Sequence, residues 1–119
     1  MKKILLIEDE ALIQKSLKKL LEKRGAKVDS ASSGRKAISL IIKNDYDRII
    51  CDLMLQDTTG FDVIEAAKSK YSNKLISEIF IIITAYSSGQ TLEKAANYNC
   101  KVIFKPFDPI SVAIDTFLQ

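Results

Sequence analysis

Charged and polar residues follow four apolar runs of the sequence, and together they could form one chemical site. Glu8 and Asp9 follow the run 4–7, and Asp52 follows the run 49–51. Thr84 follows the run 80–83, and Lys105 follows the run 102–104. If these runs are neighbouring parallel strands, their ends meet at the carboxyl edge of one sheet, where ligands bind in open α/β folds. Three carboxylates at one place repel one another, so the pattern predicts a site that takes a cation.

Carboxylate oxygens without histidine or cysteine ligands favour Mg²⁺ or Mn²⁺. The chain has no histidine, which excludes histidine acid–base catalysis and histidine metal ligation. Beside a divalent cation, an aspartate can attack phosphorus and form an aspartyl phosphate. Asp52 is the best nucleophile because it is the lone acid after the central run, which leaves Glu8 and Asp9 for the metal. Lys105 and Thr84 then offer an ammonium and a hydroxyl to the phosphoryl oxygens.

Length and composition predict one globular domain over residues 1–119, with 47% hydrophobic and 28% charged residues. No apolar run approaches the eighteen or so residues of a membrane span. The first apolar run ends at Glu8, too early for a signal peptide, so we expect a cytoplasmic protein without membrane contact. The net charge of +3 is small and the lysines are scattered, so we expect no direct nucleic-acid binding by this domain.

Five apolar β-like runs, of which the one at Val28 is short and weak, alternate with five amphipathic segments. This alternation is typical of βαβ units on a parallel sheet. Gly25 is expected to end the first helix, Ser32 or Ser33 to cap the second, and Asp108 to cap the last. The predicted inward faces of the five helices are Ile13, Leu17, Leu20 and Leu21; Ala37, Ile38, Ile41 and Ile42; Phe61, Ile64, Ala67 and Tyr71; Leu92, Ala95 and Ala96; and Ile110, Ala113, Ile114 and Phe117.

The chain resembles the receiver domain of two-component response regulators over essentially its whole length. The residues that carry the resemblance are Glu8-Asp9, Asp52 followed eight residues later by Gly60, Thr84-Ala85, and Lys105-Pro106-Phe107. The resemblance implies a flavodoxin-like (βα)5 fold, a three-layer sandwich whose five-stranded parallel sheet has the order 2-1-3-4-5.

The resemblance also implies a function, which is to accept a phosphoryl group and shift to an active conformation. Asp52 would be phosphorylated from a phosphohistidine on a sensor histidine kinase or a histidine phosphotransfer protein. Glu8, Asp9, the Asp52 carboxylate and the main-chain carbonyl of Met54 would hold Mg²⁺, and Lys105 and Thr84 would contact the phosphoryl oxygens. The chain would not be an enzyme beyond slow loss of its own phosphoryl group. The output domain or protein is open, as is a dimer formed on phosphorylation.

Several positions depart from the family pattern. The usual Met-Pro after the nucleophile is Leu55-Gln56, and the usual Gly-Ala before strand five is Tyr98-Asn99. The position three before the lysine is usually Tyr or Phe in the family, and here it is Val102. Valine has few rotamers and no ring that could change its orientation. We therefore expect output through strand five and its flanking helices to differ from the usual form.

Two further positions bear on how long the phosphoryl group would last. Met54 and Tyr86 stand where the family tunes hydrolysis of the acyl phosphate. Neither side chain is an acid or an amide that could orient water. We therefore expect slow dephosphorylation.

Three other functions compete with a phosphoryl-accepting switch. A pseudo-receiver would act as a binding module without phosphorylation; the intact acid set argues against it, and Val102 argues mildly for it. A phosphatase of the haloacid dehalogenase type would need a second acid at Met54. A flavin carrier fits poorly because Glu8-Asp9-Glu10 would repel a phosphate.

Overall fold

The computed structural model describes residues 1–85 and 88–119, and within them the chain forms a parallel sheet of five strands. The strand order is β2-β1-β3-β4-β5, so the predicted flavodoxin-like topology is confirmed. The strands are β1 (Lys3–Ile7), β2 (Lys27–Ala31), β3 (Arg48–Asp52), β4 (Phe80–Thr84) and β5 (Lys101–Phe104). The helices are α1 (Ala11–Lys23), α2 (Gly34–Lys43), α3 (Gly60–Ala67), α4 (Asn73–Ile79), α5 (Gly89–Asn97) and α6 (Ile110–Phe117).

Helices cover both faces of the sheet, which explains why its central strands are apolar without alternation. On one face, Leu17 of α1 and Phe117 of α6 pack in a core with Leu6 of β1. On the other face, residues of α2 to α5 share a second core with Leu5 and Ile7 of β1. Successive strand residues therefore enter different cores, and the sheet is the middle layer of a three-layer sandwich.

Local signals fix where several helices begin and end. Gly25 has a φ of 92° and follows α1, as predicted for a helix stop. The Ser33 hydroxyl accepts a hydrogen bond from the amide of Lys36 and caps α2. The predicted Asp108 cap is wrong. Pro109 itself takes the extended N-cap conformation, so α6 begins one residue later than expected and has no side-chain cap.

The buried faces of three helices are narrower than predicted. In α2, Ile41 is 1% exposed whereas Ile42 is 59% exposed, because the buried stripe runs through Gly34, Ala37 and Ile41. Of the face predicted for α5, Ala95 is buried but Leu92 and Ala96 are exposed. The first residue of α6, Ile110, is also exposed, so its buried face is Ala113, Ile114 and Phe117.

The helices are short. The longest, α1, has 13 residues, and α4 has seven. Among the described residues no helix has the length and apolar character needed to cross a membrane. Helix α4 was not expected from the sequence. Ser72 caps it, and it contributes only Ile76 and Ile79 to the core, which is too little for a periodic apolar stripe to be visible in the sequence.

Adjacent isoleucines of α2 provide a test of this packing. Ile41→Ala should lower the free energy of unfolding by about 2–5 kcal/mol, because it leaves a cavity in the core. Ile42→Ala is the matched control and should change that free energy by less than about 0.5 kcal/mol. Urea denaturation of both variants measures the difference. Equal losses for the two variants would contradict the burial assigned here.

Candidate functional site

The parallel register brings four strand ends to one edge of the sheet. Asp52 is the last residue of β3, the central strand, which lies between β1 and β4. Ile7 is paired with Cys51, so Glu8 and Asp9 leave β1 next to Asp52. The predicted convergence at the carboxyl edge is therefore what the topology produces.

Thr84 and Lys105 approach the same edge from the other side. Thr84 is the last residue of β4 and is fully buried. It is paired with Phe104, and the amide of Lys105 donates a 2.8 Å hydrogen bond to the Thr84 carbonyl. This backbone bond places the Lys105 side chain beside the acids. The Lys105–Pro106 peptide bond is cis, as the resemblance implied.

Three carboxylates form a compact cluster. Glu8, Asp9 and Asp52 each offer an oxygen, and these oxygens lie within 4.8 Å of one another. Glu8 is 0% exposed and Asp52 is 6% exposed, while Asp9 is half-buried. Buried carboxylates at this separation are costly unless a cation or a proton neutralises part of their charge.

Lys105 supplies the nearest positive charge. Its ammonium donates a 2.5 Å hydrogen bond to Glu8 Oε1 and a 2.8 Å hydrogen bond to Asp52 Oδ2. The other Asp52 oxygen, Oδ1, accepts a 3.2 Å hydrogen bond from the amide of Met54. Both oxygens of Asp52 are thus held, and one ammonium is shared between two buried carboxylates.

The electrostatics of the cluster show in the pKa values of its members. Burial, and then the neighbouring Asp52, raises the pKa of Glu8 from 4.5 to about 7 against the opposing effect of Lys105. Burial alone would lower the pKa of the Lys105 ammonium. Its hydrogen bonds to Asp52 and Glu8 outweigh that effect and raise its pKa. One ammonium therefore does not fully compensate the acids, which leaves room for a cation.

The donor set fits a hard divalent cation. The clustered groups offer only carboxylate oxygens, the ligand type that Mg²⁺ and Mn²⁺ prefer. The acids open into a cleft of about 350 Å³ whose lining includes Asp9, Asp52, Met54 and Lys105. Such a cleft has space for a cation with its waters and for a small anionic group.

The β3–α3 loop (residues 53–59) forms one wall of this cleft. Leu53 and Leu55 point into the core and are 3% and 8% exposed, while the Met54 side chain between them is 48% exposed. The amide of Gly60 donates a 2.7 Å hydrogen bond to the Leu53 carbonyl. A Cβ on Gly60 would lie 2.9 Å from the Asp52 carbonyl oxygen. Glycine is therefore needed where α3 begins against the strand that carries Asp52.

Some contributors to the cleft were not singled out from the sequence. Glu10 and Gln56 also line it. Gln14 donates a 2.8 Å hydrogen bond from its side chain to the Glu8 carbonyl and so fixes the turn after β1. The adjacency of Glu10 to Glu8 and Asp9 was the available signal. Tyr86, for which a role in hydrolysis was expected, lies outside the described residues.

Val102 and Tyr98, two residues near strand five that depart from the family pattern, both pack against other parts of the fold. Val102 is half-buried and packs against the core shared by α2 to α5. Tyr98, directly after α5, stacks on Phe61 of α3 with ring centroids 5.8 Å apart and planes 18° apart. The chain thus has no ring at position 102, but it has an aromatic contact between α3 and the end of α5.

Curated relatives of the chain include transcriptional regulators. The chain is 30% identical to the transcriptional regulatory protein ResD of Bacillus subtilis over 115 residues, which are 94% of this chain and 45% of that protein. It is 31% identical to the transcriptional regulatory protein CrdR of Helicobacter pylori over 108 residues, 90% of this chain and 49% of that protein. The chain thus spans about half the length of these curated relatives.

Solved structures with the same fold include receiver domains and response regulators. The non-phosphorylated receiver domain of HemR from Leptospira biflexa has a TM-score of 0.87 and 26% identity, with coverage of 100% of this chain and 95% of that one. TrrA from Thermotoga maritima in complex with Mg²⁺ and BeF has a TM-score of 0.77 and 26% identity, covering 98% and 99%. Residues 4–113 match the family profile described as response regulator receiver domain, and the chain therefore belongs to that family.

Proposed function

We propose that residues 1–119 form a phosphoryl-accepting receiver domain in which Asp52 takes a phosphoryl group from a partner phosphohistidine. The observation that carries this proposal is the site itself. A strand-end aspartate shares an ammonium with one buried acid and lies within 4.8 Å of two acids. Membership of the receiver-domain family supports the same function. The proposed donor is a sensor histidine kinase or a histidine phosphotransfer protein.

The chemical step needs one nucleophile and a leaving group that the partner supplies. An Asp52 carboxylate oxygen attacks phosphorus, the P–O bond forms, and the P–N bond to the imidazole breaks. The electron pair of that bond stays on the imidazole nitrogen. No oxidant or reductant is involved, so catalysis consists of positioning and charge neutralisation.

Each residue of the site has a proposed part in that step. Glu8, Asp9, the Asp52 carboxylate and the Met54 main-chain carbonyl would hold Mg²⁺ or Mn²⁺, which neutralises charge on the transferring group when bound. The Thr84 hydroxyl donates to a phosphoryl oxygen. Lys105, which is bonded to Glu8 and Asp52 in this structure, transfers its hydrogen bond from Asp52 to the phosphoryl group. Phosphorylation would thereby change the partners of Lys105 as the domain shifts to its active conformation.

The wider role is that of a signalling component with no enzymatic activity beyond slow dephosphorylation. The domain would act in the cytoplasm, without membrane contact and without binding nucleic acid itself. Its output would be a further domain or a partner protein, and a dimer formed on phosphorylation is one form of that output. The curated relatives are named as transcriptional regulators and are about twice as long as this chain, which supports a further domain as the output.

Phosphoryl acceptance at Asp52 can be tested directly. With Mg²⁺ and acetyl phosphate, the wild type should gain one phosphoryl group by mass, and beryllofluoride should shift amide resonances around residues 52–60. Asp52→Asn should abolish both effects because it removes the nucleophile. Asp45→Asn is the matched control and should keep them, since the Asp45 side chain is 93% exposed and pairs with Lys70 at the opposite edge. A folded wild type that gives neither signal would instead be a phosphorylation-independent pseudo-receiver.

The pKa of Glu8 predicts how stability depends on pH in EDTA. This carboxyl has an ordinary pKa of 4.5 and a pKa of about 7 in the fold. Between these values the folded chain keeps a proton that the unfolded chain has lost. The free energy of unfolding should therefore fall by roughly 1–3 kcal/mol as pH rises through this window.

Two controls separate Glu8 from the other acids in that pH profile. Glu8→Gln should flatten the fall because the amide does not titrate. Saturating Mg²⁺ should restore wild-type stability above pH 7, since binding to the folded state stabilises it. Thermal melts across pH provide the measurement. A wild-type profile in EDTA that is flat or rises over this window would count against the charge balance described for the cluster.

The exposed Met54 side chain predicts a long-lived phosphoryl group. It offers no group to orient an attacking water, so Met54→Asn should speed dephosphorylation by at least about tenfold. Leu75→Asn is a control of the same type on an exposed side chain in α4 and should have no effect. Decay of the phosphorylated form, followed by intact mass, measures both rates. Rapid decay of the phosphorylated wild type would contradict the prediction.

A further inference from the structure

Asp57 ties the β3–α3 loop to the beginning of α2. Its Oδ1 accepts a 2.9 Å hydrogen bond from the amide of Gly34, and its Oδ2 accepts a 3.0 Å hydrogen bond from the amide of Arg35. These amides belong to the first two residues of α2 and would otherwise lack intrahelical partners. A negative charge is also favourable at the positive end of a helix. One carboxylate therefore satisfies two donors of an element that is distant in sequence.

The loop and the helix are also in tight steric contact. A Cβ built on Gly34 would lie 2.1 Å from Cγ2 of Thr58, the residue after Asp57. Only a residue without a side chain allows this approach. Gly34 is buried, whereas Asp57 itself is exposed. The two hydrogen bonds of Asp57 thus join a loop and a helix end that are already in close contact.

This attachment lies three residues from the proposed metal ligand Met54. Within the loop, the amide of Leu55 donates a 3.1 Å hydrogen bond to the Thr58 carbonyl, which closes a turn around Gln56 and Asp57. The amide of Met54 donates to Asp52 Oδ1. Fixing Asp57 therefore fixes the turn, and the turn fixes the peptide groups on either side of Met54. Gln56 provides no backbone restriction of its own, unlike a proline.

We propose that Asp57 is a positioning residue, which holds the β3–α3 loop in the conformation that presents the Met54 carbonyl to the cation and the Met54 amide to Asp52. It acts through Gly34 and Arg35 and touches neither the cation nor the phosphoryl group. The effect on the cation rests on the function proposed above. The effect on the loop does not, because it concerns the protein without any ligand. The hydrogen bonds from the Gly34 and Arg35 amides also hold the pKa of Asp57 below its usual value.

The chain offers a matched control for this proposal. Ser33 caps the same helix end, accepting a 3.2 Å hydrogen bond from the amide of Lys36, but its side-chain cap bond does not reach the loop. Asp57→Ala and Ser33→Ala should both lower the melting temperature by weakening α2. Only Asp57→Ala should release the loop. Asp57→Asn keeps one acceptor oxygen at the same place and should restore part of what Asp57→Ala loses.

Two readouts decide the proposal. Amide hydrogen exchange in EDTA should speed up at Met54 and Leu55 in Asp57→Ala and stay near the wild-type rate in Ser33→Ala. Calorimetric titration with MgCl₂ should give a Kd about tenfold weaker for Asp57→Ala and unchanged for Ser33→Ala, a loss typical of groups that orient metal ligands. Partial recovery of both values in Asp57→Asn supports positioning by the carboxylate.

Other outcomes would overturn the proposal or isolate its parts. Equal behaviour of Asp57→Ala and Ser33→Ala in exchange and in Kd would make Asp57 a helix cap alone. If wild-type protein gave no heat with MgCl₂, the proposed metal site would fail. The exchange rates in EDTA would still show whether Asp57 orders the loop, so the two failures are distinguishable.

Discussion

The site depends on one ammonium shared by two buried carboxylates. Lys105 can reach Glu8 and Asp52 together only because β1, β3, β4 and β5 all end at one edge of the sheet. That arrangement in turn requires helices on both faces, since four adjacent parallel strands expose apolar side chains on each side. The two cores therefore do more than stabilise the chain. They hold the strand ends close enough to form a charge cluster that is costly without a neutralising partner.

The cluster remains electrostatically incomplete. One ammonium contacts two of the three carboxylates. Burial, and then the neighbouring Asp52, raises the pKa of Glu8 to about 7 in spite of it. A proton, a metal ion or a change of partner at Lys105 each alters this balance. The site thus combines a rigid scaffold with a charge distribution that responds to what enters the cleft. The proposed phosphoryl switch would depend on both properties.

The topology and the convergence of Glu8, Asp9, Asp52, Thr84 and Lys105 could be predicted because each signal is local. An apolar run followed by a charged residue marks a strand end, and the alternation of runs and amphipathic segments marks a parallel sheet.

Features that depend on contacts between distant segments could not be predicted. The distinction between Ile41 and Ile42 depends on how α2 is rotated against its neighbours. The hydrogen bonds of Asp57 join residues more than twenty positions apart, so no spacing in the sequence announces them.

The stack of Tyr98 on Phe61 has a mechanical consequence. Phe61 directly follows Gly60, where a Cβ would lie 2.9 Å from the Asp52 carbonyl oxygen, so α3 begins against the strand that carries the proposed nucleophile. The overlapping rings, worth about 0.5–1.5 kcal/mol, couple the end of α5 to that same helix. Sliding α5 along the sheet must either drag α3 with it or separate the rings. A displacement of α5 that leaves α3 in place therefore costs about the energy of this ring contact.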